Sequence, residues 1–203
     1  MFITFEGIDG SGKTTQMELA RKLLSDLGRP ILALREPGSI PFSEKIRGIL
    51  LDSDFDLDGV TEMMLFQAAR SELTKNIIIP ALEEGKVVIC DRYYDSTTAY
   101  QGYGRGLDIE AIKYANLIAS RGLVPDMTLL FDVSFEIAMA RRKNEKKDRI
   151  ESNEKEFFER VANGYKRLAE ENSRFVVIDA DSDPKSIHTK VVSILNKKIK
   201  ENN

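Results

Sequence analysis

The sequence predicts an α/β fold in which a parallel sheet of five strands lies between layers of helices. Three observations carry this: five short apolar runs, the longer stretches of helical period that alternate with them, and a glycine-rich turn between the first run and the first helical stretch. Such alternation marks βαβ units, whose parallel strands need covering on both faces. Phe2 to Glu6 reads as the first strand. Lys13 to Leu27 follows as a helix, because Met17, Ala20, Leu23, Leu24 and Leu27 form one apolar stripe that ends at Gly28. Pro30 to Leu34 is the second strand. Glu44 to Leu51 and Thr61 to Leu82 are expected to be helical, with the acidic stretch Asp52 to Asp58 as a solvated loop between them. Lys86 to Cys90 forms the third strand. A helix from Ile109 to Ser120 leads through Gly122 and Pro125 into a fourth strand, Met127 to Val133. Phe135 to Arg142 is helical and the charge-dense Lys143 to Arg149 follows it. A helix near Glu154 to Glu171, a fifth strand at Arg174 to Asp179 and a last helix from Pro184 to about Lys200 complete the chain.

With 203 residues the chain is expected to form one domain, residues 1–203. The composition, 42% apolar and 31% charged, fits a soluble globular protein and excludes collagenous and disordered classes. No apolar run approaches the ~18 residues of a transmembrane helix, and no basic stretch precedes Glu6 as in a signal peptide, so the protein is expected in the cytoplasm and away from membranes. A net charge of −3 argues against a partner that is a nucleic-acid polymer. Cys90, the one cysteine, lies in an apolar run and reads as a buried, inert thiol; the one histidine, His188, is assigned no role.

The strongest signal is Gly7-Ile8-Asp9-Gly10-Ser11-Gly12-Lys13-Thr14, a full G-x-x-x-x-G-K-T pattern between a predicted strand and a predicted helix. Its glycines let successive backbone N–H groups point at phosphate oxygens beside the positive end of the helix dipole. Lys13 adds a point charge for the β- and γ-phosphates, and the Thr14 hydroxyl is a ligand for Mg²⁺. The pattern implies a nucleoside triphosphate such as ATP. No base-reading N-K-x-D is present, and Asp56-Leu57-Asp58-Gly59 matches D-x-x-G only inside the acidic loop, so a GTPase switch is disfavoured.

Other residues point to phosphoryl transfer. Asp91 and Arg92 end the third strand, where ligands bind in open α/β sheets; Asp91 suits Mg²⁺ through water and Arg92 suits a phosphate. Phe66 and Arg70, four apart on a helix, place an aromatic plane beside a planar donor, as a nucleobase requires. Arg141, Arg142, Lys143, Lys146, Lys147 and Arg149 crowd a segment at about 141–151 that reads as a solvated face or a mobile lid over phosphates.

These residues occur in an order that resembles bacterial thymidylate kinases over essentially the whole chain. The matching segments are Phe5-Glu6-Gly7 into the cradle, Arg35-Glu36-Pro37-Gly38, Ile46-Arg47, Leu65-Phe66 through Arg70, Asp91-Arg92-Tyr93, Ala99-Tyr100-Gln101-Gly102, Pro125-Asp126 and Asp148-Arg149-Ile150-Glu151. The resemblance implies a homodimeric kinase of the P-loop NTPase three-layer fold that passes the γ-phosphoryl of ATP to thymidine monophosphate (dTMP), with Mg²⁺, in dTTP biosynthesis. It implies that residues Gly7 to Thr15, including Thr15 itself, hold ATP. Phe66 would stack on thymine and Arg70 bond its edge; Thr97 would support the base, Tyr100 would crowd the sugar 2′ position and Asp9 would bind the 3′ hydroxyl. Arg47 and Arg92 would clamp the acceptor phosphate, Gln101 would close over it, and Glu36 and Pro37 would complete the acceptor loop. One subgroup of relatives carries a catalytic arginine inside the P-loop; here those positions are Ile8, Asp9, Gly10 and Ser11, so the lid must supply it, with Arg142 first and Arg149 second. Relatives commonly continue Arg-Glu-Pro-Gly with Gly-Thr, whereas this chain has Ser39-Ile40.

Two rivals are weighed. A deoxynucleoside kinase of related fold would use Glu36 as a base on a sugar hydroxyl, but such enzymes run from Glu-Pro toward a tryptophan, absent here, and carry Glu-Arg-Ser where Asp91-Arg92-Tyr93 stands. A non-catalytic nucleotide-binding regulator would have no need of Phe66, Arg70, Arg92 and Tyr100.

Overall fold

Residues 1–143 and 148–201 are described by a computed structural model. Five parallel strands lie in the order β2-β3-β1-β4-β5: β1 Phe2–Glu6, β2 Ile31–Arg35, β3 Val87–Asp91, β4 Met127–Asp132 and β5 Phe175–Asp179. β1 is central, with Ile3 beside Ile89 of β3 and Met127 of β4. Being covered on both faces, β1 and β3 are buried along their whole length, as their near-continuous apolar sequences require. Between β1 and β4 the Thr4 and Thr128 hydroxyls satisfy each other at 2.8 Å, which lets two polar side chains lie in the core. Ile3, Phe5, Ile89, Leu129 and Phe131 form its centre, and β1, β3 and β4 all deliver their last residues to one edge of the sheet.

The helices differ from the periodicity reading in instructive ways. α1, Lys13–Asp26, matches its predicted stripe, but α2 spans Pro41–Leu51 and starts three residues earlier than expected, at a proline suited to a first turn. The single helix expected from Thr61 to Leu82 is instead α3, Gly59–Leu73, a π-helical turn at Thr74–Ile78 and α4, Ile79–Glu83. Pro80 lies just after the turn; without an N–H it cannot continue the α-helical ladder, and the wider turn accommodates it. Asp58, in the D-x-x-G match, caps α3 by accepting from the Val60 and Thr61 N–H groups. After β3 the chain forms α5, Tyr94–Thr97, and a second π-helical stretch, Thr98–Gly104, neither of which shows a helical period in the sequence. α6 spans Ile109–Ala119 and α7 Phe135–Arg141. α8, Lys155–Glu171, lays Phe157, Phe158, Val161, Tyr165 and Leu168 against that π-helical stretch and the sheet, and α9, Pro184–Glu201, packs on α1. Among the described residues no helix is long and apolar enough to cross a membrane.

Candidate active site

The cradle sits where β1 ends. Ser11 N–H donates to the Ile8 carbonyl at 3.2 Å, closing the turn. Gly7 has φ 141°, and a Cβ there would lie 2.6 Å from the Phe131 carbonyl oxygen, so only glycine fits against β4. α1 opens at Lys13 with its N-terminus aimed into the turn, where Gly12, Thr14 and Thr15 are exposed and Ile8 is buried in the core. Lys13 Nζ is 3.2 Å from Asp9 Oδ1, and the Thr14 hydroxyl donates to Asp91 Oδ2 at 2.5 Å. The other Asp91 oxygen, Oδ1, is buried with no hydrogen-bond partner in the protein. A hydroxyl and an under-satisfied carboxylate fit Mg²⁺, a hard cation that takes oxygen ligands. Among the described residues no group of three or more acidic, His or Cys side chains could hold a metal, so a Mg²⁺ ion held by Thr14 and Asp91 would need further oxygen ligands from outside the protein.

A cavity of about 220 Å³ extends from this cradle. Lys13, Thr14, Asp91 and Asp9 line one end; Glu36, Pro37, Arg47, Phe66, Arg92, Thr97, Tyr100 and Gln101 line the rest. Thus residues from five separate segments of the chain meet in one place. Tyr100 and Gln101 are neighbours in sequence yet both face the cavity, a placement the wide turn of the π-helix accommodates. Arg35, Ser96, Asp148 and Glu151 line the cavity as well, although none of them was assigned a role individually from the sequence. Arg70 does not line it. The guanidinium is buried, with Nε donating to Glu36 Oε2 at 2.8 Å and Nη1 to Gln67 Oε1 at 2.9 Å. Gln67 and Asn116 extend this polar layer toward the Thr98 hydroxyl. Arg47 donates to the Pro37 carbonyl at 3.0 Å, which ties α2 to the acceptor loop.

In that loop Ser39 adopts φ 71°, the left-handed region in which glycine is at ease. Its side chain compensates: the hydroxyl accepts from Arg35 N–H at 2.8 Å, and its own N–H donates to Glu44 at 2.7 Å. The loop therefore closes with serine in the left-handed region.

Arg92 is the most constrained cation. It too has φ 70°, as the chain leaves β3, and its N–H extends the sheet ladder to the Phe5 carbonyl at 3.0 Å. Nη2 donates to Asp9 Oδ1 at 2.9 Å and to the Tyr100 hydroxyl at 3.1 Å; Nη1 donates to the Ser96 and Tyr165 hydroxyls at 3.1 and 3.2 Å. Burial tends to raise the Asp9 carboxyl, but Arg92 and Lys13 outweigh it and hold Asp9 well below the usual carboxylate range. Glu6 and Glu36 behave oppositely. Burial, helped by Asp95, pushes Glu6 up to about 7; burial pushes Glu36 up to about 7 although Arg70 pulls the other way. Glu36 Oε1 and the Thr97 hydroxyl, both on cavity residues, have no hydrogen-bond partner in the protein.

The two lid arginines are placed differently, and neither lines the cavity. Arg142 pairs with Glu151, a cavity residue, at 2.6 Å. Arg149 is anchored: Nε donates to the Leu50 carbonyl at 2.9 Å, its N–H to the Leu51 carbonyl at 3.3 Å and Nη2 to Glu62 Oε2 at 2.7 Å. Fully buried Glu62 also accepts from Gln101 at 2.7 Å and Arg105 at 3.0 Å, so one carboxylate joins the lid base to the residue expected over the acceptor. Arg141 reaches the P-loop, donating to the Gly10 carbonyl at 3.2 Å and to Ala180 at 2.9 Å. Lys143 is exposed, and Lys146 and Lys147 lie outside the described residues. Cys90 is buried, and burial pushes its thiol well up, in keeping with an inert role. His188 is half-buried against Gln16 at 3.3 Å.

A triphosphate cradle at the edge of a five-stranded parallel sheet, opening into a cavity lined by cations and an aromatic face, defines a P-loop phosphotransferase that acts on nucleotides. The family model described as thymidylate kinase matches residues 5–191. The thymidylate kinase of Chlorobaculum parvum is 47% identical over 206 residues, covering 96% of this chain and 95% of that protein. The thymidylate kinase of Thermoanaerobacter sp. is 44% identical, covering 97% of each chain. Among solved structures, the crystal structure of thymidylate kinase from Ehrlichia chaffeensis superposes with a TM-score of 0.79 at 37% identity, covering 96% of this chain and 98% of that one. The chain belongs to the thymidylate kinase family.

Proposed function

We propose that the chain passes the γ-phosphoryl group of ATP directly, in line, to the phosphate of dTMP, giving dTDP and ADP in dTTP biosynthesis. One observation carries this: a single cavity joins the cradle to an aromatic, partly apolar end, with Arg35, Arg47 and Arg92 lining it. Two polyanions must approach closely for transfer, and cations on that cavity wall offset their repulsion. Phe66 supplies a plane for thymine and the partnerless Thr97 hydroxyl a hydrogen bond to it. Arg70, buried outside the cavity, holds Glu36 on the cavity wall. Tyr100, fixed by Arg92, faces the sugar, and Asp9 takes the 3′ hydroxyl. The acceptor phosphate is largely ionised at neutral pH, since a phosphate monoester has its second pKa near ~6, and needs no base. Lys13 releases Asp9 to engage the β- and γ-phosphates. Thr14 and Asp91 would hold Mg²⁺, which supplies charge neutralisation on the triphosphate when bound. Residues 141–151 act as the lid of a domain spanning residues 1–203. Arg142 is its transferring arginine: its carboxylate partner stands on the cavity wall, whereas Arg149 is pinned to α2 and α3.

The active form is a homodimer in the cytoplasm. Helices α2, α3 and α6 pack side by side and leave Phe42, Met64, Tyr114, Leu117 and Ile118 exposed, an apolar face suited to a second copy. Light scattering on the eluting protein should give twice the chain mass. The decisive assay is coupled ADP release with ATP and Mg²⁺ on three acceptors: dTMP, dUMP and thymidine. Turnover on dTMP far above the others is expected. Turnover on thymidine with none on dTMP would overturn the reading and make Glu36 a base.

A further inference from the structure

Glu6 ends the central strand, is fully buried and lies outside the cavity, yet its carboxylate is the hub of the polar cluster behind Arg92. Oε1 accepts the Tyr93 N–H at 2.7 Å, fixing the backbone immediately after Arg92. Oε2 accepts two hydroxyls, Ser96 at 2.6 Å and Tyr165 at 2.8 Å. Those hydroxyls are 2.8 Å apart, and both accept from Nη1 of Arg92. A hydroxyl has one hydrogen. Above about pH 7, where Glu6 is ionised despite its burial, the carboxylate can only accept, so it draws both hydrogens toward itself and leaves both oxygens turned to the guanidinium. Glu6 thereby sets the polarity of a two-hydroxyl relay.

We infer that Glu6 is a positioning residue: acting through Ser96 and Tyr165, it orients the Arg92 guanidinium for the acceptor phosphate. The inference rests on the reading of Arg92 as a phosphate clamp. Asp9 and Tyr100 hold only the Nη2 side of that guanidinium. The Nη1 side is set by Ser96, on the cavity wall, and by Tyr165 and Glu6, which lie outside the cavity. This arrangement also explains why Tyr165, on α8 and far along the chain, is buried with its hydroxyl pointing at the sheet edge.

Glu6→Gln is a sharp probe because it keeps the shape and reverses the relay. The Tyr93 N–H holds the amide oxygen at the Oε1 position, so the NH₂ must occupy the Oε2 position and donate to the hydroxyls. Their hydrogens then turn toward Arg92. Binding of dTMP and of thymidine, which lacks the phosphate, is measured by calorimetry at about pH 8, where Glu6 is ionised, for the wild type, Glu6→Gln, Tyr165→Phe and Arg92→Ala. Loss of a charge-assisted contact predicts that Glu6→Gln weakens dTMP about ten-fold and that Tyr165→Phe weakens it about three-fold, with thymidine held to within about two-fold in both. Equal weakening of dTMP and thymidine would mean a merely structural role and overturn the inference, as would unchanged dTMP affinity. Arg92→Ala separates the two layers: if it leaves the ratio of dTMP to thymidine affinity unchanged, the reading of Arg92 itself fails and takes the inference with it. Should Glu6→Gln not fold, Tyr165→Phe carries the same test.

Discussion

The two ends of the cavity are built on different terms. Around the acceptor end, side chains interlock before any ligand arrives: Arg70 with Glu36, Gln67 with Asn116, and Arg92 with Asp9, Tyr100, Ser96 and Tyr165. Around the donor end and the lid, ion pairs replace that interlocked network: Lys13 meets Asp9, which it shares with Arg92, and Arg142 meets Glu151 on the cavity wall. A preorganised set loses little freedom on binding and stabilises charge without rearranging. A set of exchangeable ion pairs must trade one anion for another, which ties its arrangement to the arrival of phosphates. This contrast predicts that the acceptor end governs recognition and the donor end governs turnover.

Breaking the donor end should give the largest effect. Lys13→Ala removes the point charge of the cradle and is expected to lower kcat by roughly 10³ or more, while dTMP affinity measured without ATP stays within about two-fold. A comparable loss of dTMP affinity would show that the two ends are one unit and not two.

Next is the contrast between the lid arginines. Arg142→Ala should lower kcat by on the order of 10³, with the KM for dTMP within a few-fold, as for loss of an arginine finger. Arg149→Ala should do less to kcat and more to stability. It takes one partner from fully buried Glu62, at a cost of about 1–3 kcal/mol, read from urea unfolding of the two variants side by side. An unchanged kcat for Arg142→Ala would pass the role to Arg149 or to the lid lysines.

How much of this was legible in the sequence follows the same division. All five strands can be read to within a residue at each end, because each is a short apolar run with no competing period, although only β1 and β3 are buried throughout and β2 and β5 are partly exposed. The cradle, Asp91, Arg92 and Phe66 were legible because they belong to local patterns whose spacing states their chemistry, whereas Tyr100 came only with the family resemblance. The stretch Tyr94–Thr97 and Thr98–Gly104 was not, since a π-helix lacks the 3.6-residue period and Gly102 and Gly104 weaken any helical reading. Nor were the supporting residues. Tyr165 meets Glu6 across 159 positions, and Glu62 meets Arg149 across 87, so nothing local announces either partnership. Arg70 shows the remaining gap: its spacing from Phe66 put both on one helix face, but only packing reveals that Glu36 and Gln67 take up its Nε and Nη1.

The smallest effect tests what the preorganised end costs the free protein. Glu36 is pushed up to about 7 from an ordinary 4.5, chiefly by burial, with Arg70 opposing. A carboxyl raised on folding stabilises the fold in its protonated form. That contribution is whole below pH 4.5 and is lost as the pH rises toward about 7, and Glu6, raised to the same degree, adds a loss of the same sign. Asp9 is shifted the other way, and its contribution fades only in more acid solution. The ligand-free protein should thus melt lower at pH 8 than at pH 5.5. Glu36→Gln replaces the titrating group by a neutral one of the same shape. It should match the wild type near pH 5 and melt about 2–4 °C higher at pH 8, the shift that ~1 kcal/mol produces in a chain of this size. If the variant melts lower at pH 8, the Arg70 ion pair outweighs the burial of its partner, and the acceptor end is held by charge as much as the donor end is.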